Sequence, residues 1–176
     1  MDTGTHIYSY LMYNNIDTNH AIEVITTWLD ELSTHEDFPT DFLMKAVKAA
    51  MVIIMSNNHF ESDDLNFLQL LGTSMGTSAA AMWATMYYAY HEVKCLLPKY
   101  GRFLYKQRLR RFIDDQFGIW ICNECSCPAS CHHWKGFVKE MNSFGLLRWT
   151  TTTPSKRCVF LDLVITIDKK EIKTQT

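Results

Sequence analysis

Arg110-Arg111-Phe112-Ile113-Asp114-Asp115-Gln116-Phe117-Gly118-Ile119-Trp120-Ile121 sets two adjacent carboxylates between two apolar runs, each of strand length. Before the pair, Leu109, Arg111 and Ile113 alternate with Arg110, Phe112 and Asp114. After it, Phe117, Ile119 and Ile121 alternate with Gln116, Gly118 and Trp120. Period-two alternation on both sides of a polar dipeptide predicts a β-hairpin with Asp-Asp at or beside its tip. Successive strand side chains leave opposite faces, so the two aspartates cannot both serve a core. Neighbouring carboxylates also repel unless a cation neutralises them, and a hard divalent ion such as Mg²⁺ does so with oxygen ligands. The same residues equally suit a polar turn, because Asp is a common turn residue.

The neighbouring segments weigh on that choice. Upstream lies Gln69-Leu70-Leu71-Gly72-Thr73-Ser74-Met75-Gly76-Thr77-Ser78-Ala79, opening a long helical run. A glutamine with GTxMGT, a helix, then an aromatic-x-Asp-Asp hairpin resembles the reverse transcriptase palm. Phe160-Leu161-Asp162-Leu163-Val164-Ile165 resembles the strand after the last palm helix in Penelope-like and related retroelement polymerases. Met12-Tyr13-Asn14-Asn15-Ile16 is similar to the tail of that family's first catalytic motif. The four segments follow the family's order over nearly the whole chain.

The resemblance implies an α/β (α+β) fold, a two-layer polymerase palm with an antiparallel sheet backed by helices. Fingers and thumb would be largely missing, as in a partial chain. It implies a nucleotidyltransferase, an RNA-directed DNA polymerase of a retrotransposon, with RNA template, DNA primer and deoxynucleotides as partners. By resemblance, Asp114 and Asp115 are catalytic and hold Mg²⁺ or Mn²⁺. Gln69, Gly72, Thr73, Met75, Gly76, Phe112, Arg110 and Arg111 would contact substrate and template. The family's first-strand aspartate stands four residues before the apolar position of its [LM]-Y-x-N-I segment, and that position here is Tyr8. A neutral phenol cannot replace a carboxylate bridging two Mg²⁺ ions. The resemblance therefore implies a palm that has lost catalysis. Asp2 lies too far upstream for the role, and Asp17 falls in the turn after the first strand.

The remaining chemistry is local. At 176 residues, 47% hydrophobic and 20% charged, the chain is expected to form one packed domain, 1–176, rather than a disordered segment. No apolar run reaches membrane-spanning length and no signal peptide is legible, so an intracellular setting without a membrane partner is expected. A formal net charge of -2 gives no global attraction for nucleic acid, so any grip must be a local patch. Lys99, Arg102, Lys106, Arg108, Arg110 and Arg111, with Tyr100, Phe103 and Tyr105 among them, offer one. Cys122, Cys125, Cys127, Cys131, His132 and His133 form a Cys/His-rich insertion at about 122–133, read either as a Zn²⁺ site or as a cysteine-rich loop. A noncatalytic nucleic-acid-binding domain and a zinc-stabilised interaction module are thus the alternatives to a polymerase palm.

Helical stripes are expected over Ile22–Leu32, over Phe42–Ile54 after Pro39, from Ser78 for about twenty residues to Leu96, and over Trp134–Phe144. Strands are expected at Thr5–Tyr13, on either side of an acidic turn at Asp63-Asp64, at Arg148–Thr153, and as one apolar run from Cys158 to Ile167.

Overall fold

The hairpin is present, and the first strand, expected at Thr5–Tyr13 and found at Asp2–Ser9, pairs beside it. In a computed structural model that describes residues 2–9, 12–74, 76–121, 131–168 and 171–176, β1 (Asp2–Ser9), β4 (Leu104–Phe112), β5 (Asp115–Ile121) and β6 (Trp149–Thr151) form one antiparallel sheet in the order β4-β5-β1-β6. The chain forms two compact units, Met1–Tyr10 with His91–Thr176, and Leu11–Tyr90.

In the first unit the alternation of β5 sorts its side chains. Gln116, Gly118 and Trp120 take one face, where Trp120 is fully buried. The cover is α5 (His132–Met141), whose Trp134, Phe137 and Met141 are buried at helical spacing. Trp120 packs edge-on against Trp134 at 5.1 Å and lies 5.4 Å from Phe137, with Phe103 stacked on it at 5.3 Å. Asn142 ties the end of this helix to the sheet, donating to the Val138 carbonyl and accepting from the Trp149 amide. An antiparallel sheet backed by a helix is the α+β architecture expected.

A second sheet, β7 (Arg157–Phe160), β8 (Leu163–Asp168) and β9 (Glu171–Gln175), belongs to the same unit. This corrects the single strand expected from Cys158 to Ile167. The run folds back at Leu161-Asp162, with Phe160 paired to Leu163. Leu161 takes a positive φ of 53° there, a turn conformation its type does not advertise. Cys158 is half-buried, and burial pushes its thiol pKa up.

The second unit holds α1 (Thr18–Leu32), α2 (Met44–Ser56), the β2 (His59–Ser62) and β3 (Leu65–Leu68) hairpin, and most of α3 (Ala80–His91). Asp17 caps α1 by accepting from the His20 amide at 2.9 Å. Ala21, Val24, Ile25 and Leu29 form its buried stripe, and Trp28 meets Tyr90 edge-on. The α2 stripe differs from expectation: Met55 is its one buried residue, while Ile53 is 63% exposed. Asp63 and Asp64, both at positive φ, close the β2–β3 hairpin in an exposed two-residue turn. The helix expected to run to Leu96 is interrupted: α3 ends at His91, a π-helical turn spans Glu92–Leu96, and α4 (Leu97–Tyr100) follows. No described helix is long and apolar enough to cross a membrane.

Candidate functional site

The hairpin closes through Ile113 and Asp114, with Phe112 paired to Asp115. Asp114 therefore stands exposed at the tip, and Asp115 opens β5, half-buried. Ile113 has a φ of 52°. A positive φ at the first position of a two-residue hairpin loop is the type II′ requirement, which glycine meets most cheaply. A β-branched residue there is strained. Across the sheet, the backbone of Tyr8 pairs in register with Asp115 on one side and with Thr150 on the other.

Alternation divides the basic run. Arg111 pairs with Gln116 on the helix-covered face, and its side chain is 7% exposed. Its guanidinium binds Glu92 through Nε at 3.0 Å and Nη2 at 3.1 Å, and Gln116 donates to the same carboxylate. Burial pushes the Glu92 carboxyl pKa up, while Arg111 and Gln116 pull it back. Arg110, opposite Phe117, takes the other face with Phe112 and Asp115.

On that face Phe117 packs against Phe160 of β7 at 5.7 Å, and beside them lies a cleft of about 230 Å³, lined by Tyr105, Lys106, Arg108, Arg110, Phe117 and Ile119 with Ile172 of β9. A bulge makes it. Leu104 pairs with Trp120 and Leu109 with Gly118, so Tyr105, Lys106, Gln107 and Arg108 stand opposite Ile119 alone. Lys106 and Gln107 both adopt a φ of 52°, which turns this segment out of the strand. Bulges of this kind re-aim side chains, here placing three cations around an apolar floor.

The glycine loop lies in the second unit. Gly72 has a φ of 82°, and a Cβ on it would meet the Tyr13 carbonyl oxygen at 2.5 Å. Its amide donates to the Ile16 carbonyl, and the Thr73 amide donates to that of Tyr13. Two segments singled out in the sequence, Met12–Ile16 and Gly72–Thr73, are thus joined backbone to backbone. The close approach that Gly72 permits is to the protein's own chain. Gln69 donates to the Leu71 carbonyl, and Gly76 is exposed. Met75 lies outside the described residues.

Among the described residues no three His, Cys, Asp or Glu side chains are grouped to hold a metal ion. Asp2 pairs with Ile121, at the far end of β1 from Tyr8, and Asp17 is engaged as a helix cap. Of the Cys/His cluster, Cys122, Cys125 and Cys127 lie outside the described residues. Cys131 is a buried thiol at the start of α5, and His133 stacks on Phe103 at 4.3 Å, its ring 3.7 Å from that of His132.

Glu92 and Gln116 are the residues that sequence reasoning missed. A signal existed: Arg111 and Gln116 fall on the parity of Trp120, so two polar residues face inward and require a buried partner.

No protein-family model and no curated protein matches the chain. Nineteen solved chains match it. One is apo telomerase from Candida tropicalis, truncated from its C-terminal domain, at 12% identity and a TM-score of 0.57. The match covers 99% of this chain and 35% of the telomerase chain, so this chain spans about a third of that length. At that identity the likeness carries the fold alone: this chain folds like the matching part of the telomerase chain.

Proposed function

We propose that the chain is a reverse-transcriptase palm fragment, of Penelope-like or related retroelement type, that grips nucleic acid and is stopped from catalysis at Tyr8. The pairing of Tyr8 with Asp115 carries this reading, because it sets the strand of the first motif directly beside the aspartate hairpin. In the parent family that strand supplies the third carboxylate for RNA-directed DNA polymerisation. Here the position is a tyrosine, Asp2 stands at the far end of the strand, and Asp17 caps α1. Asp114, exposed at the tip, takes a single Mg²⁺ or Mn²⁺ weakly, with Asp115 contributing less.

What the chain's own residues do is bind. Lys106, Arg108 and Arg110 neutralise phosphates along the cleft, and Tyr105 and Phe117 pack against sugars or bases. Arg111 takes no part in that contact, because its cation is held by Glu92. The ligand is a primed RNA template, bound through its backbone without sequence preference. Fluorescence anisotropy with such a duplex tests this. Binding weakens steeply between about 50 and about 200 mM salt, and R108E/R110E lowers affinity at least about tenfold with a shallower salt slope. Equal affinity of the double variant and the parent would overturn the proposal.

A further inference from the structure

We infer that Glu92 is a positioning residue for the Asp114–Asp115 hairpin, acting through Arg111 on the Ile113 carbonyl at its tip; the inference rests on the reading of that hairpin as a carboxylate-bearing site. Glu92 begins the π-helical turn that interrupts the helix between α3 and α4. Such turns insert one residue into a helical ladder and recur at functional sites. Its carboxylate lies 13% exposed, and three groups converge on it: Arg111 Nε, Arg111 Nη2 and Gln116 Nε2. The guanidinium has further N–H groups, and Arg111 Nη1 donates to the Ile113 carbonyl at 3.2 Å. Arg111 thus spans from a helix carboxylate to the hairpin loop. Its partner Gln116, fully buried, follows directly after Asp115 and is fastened to the same carboxylate.

Ile113 supplies the second, independent observation. A β-branched residue in the left-handed region persists only where its surroundings over-determine it. The bond from Arg111 to its carbonyl is a restraint of that kind. Stability alone gives little reason for the arrangement, since apolar side chains of similar volume commonly replace a buried ion pair without loss. A planar fork that reaches two acceptors at once explains it better, and lysine cannot reproduce that fork.

Two variants of the full chain separate positioning from bulk stability. R111K keeps a cation for Glu92 and removes the second arm. E92M/R111M replaces the pair with apolar bulk. The readout is the left-handed signature of Ile113 in NMR spectra, a strong intraresidue amide–Hα contact with its Cα and Cβ shifts, alongside the thermal midpoint. The inference requires that signature in the parent and its loss in both variants, with the Gly118–Trp120 resonances unmoved and midpoints within a few degrees of the parent. Retention of the signature in either folded variant overturns it. So does its loss together with shifts throughout β4 and β5, which would make the role merely structural. Should E92M/R111M fail to fold, R111K decides alone. Mn²⁺ added to the parent tests the underlying reading separately: absence of broadening at Asp114 refutes the carboxylate site and leaves the link from Glu92 to Ile113 standing or falling on the variants.

Discussion

Ile113 and Gly72 both occupy the left-handed region, and the cost falls on the one that is not glycine. Ile113→Gly should raise stability by about 1 kcal/mol, since strain of about 1–3 kcal/mol is relieved against a smaller gain in unfolded-chain entropy. Gly72→Ala should lower it by about 3 kcal/mol or more, because a methyl would collide with the Tyr13 carbonyl at a positive φ. Urea midpoints at constant slope measure both. His91 gives a pH dependence. Burial lowers its pKa below the ordinary 6.5, while its Nε2 meets the Glu140 carbonyl at 3.0 Å and its ring stacks on Phe144. The unfolded chain therefore binds the proton first, so this stability is fully present above pH 6.5 and is lost as pH falls from there to the lowered folded value. His91→Gln should flatten that acid limb, as read from denaturation curves across the window. The roles of Gly72 and His91 were not legible in the residues alone, because each depends on a partner far along the chain.

At the scale of elements, the central hairpin was legible because its period of two is unbroken on both sides of the tip. The β2–β3 hairpin was legible for the opposite reason: Asp63-Asp64 is a polar interruption, and both residues tolerate positive φ. Asp64→Gly should stabilise that hairpin by a few tenths of a kcal/mol, since glycine meets a positive φ at no steric cost. The fold-back at Leu161-Asp162 was illegible, because a single Asp in an otherwise apolar run without Gly, Pro or Asn is a weak turn signal. The α2 stripe misled because Ile53 and Ile54 are apolar at helical spacing yet exposed. The basic run is not one surface: alternation splits it, burying the Arg111 side chain and leaving Arg108 and Arg110 at the cleft. Strand β4 is also a sheet edge, where cations and a bulge oppose pairing with other chains.

For the whole molecule, the chain begins with a strand of the first unit, builds the second unit from Leu11 to Tyr90, and returns at His91. The division into two units was not legible, since no linker composition marks it. In a chimera in which the fingers and thumb of a related polymerase flank this chain, primer extension should be absent with Tyr8, appear with Tyr8→Asp, and vanish again when Asp114→Asn is added. Removal of a single electrostatic stabiliser of a transition state commonly costs a hundredfold or more, so the gain should exceed about 100-fold. Extension by the Tyr8 chimera as fast as by Tyr8→Asp would contradict the account and assign the third carboxylate to a residue other than position 8.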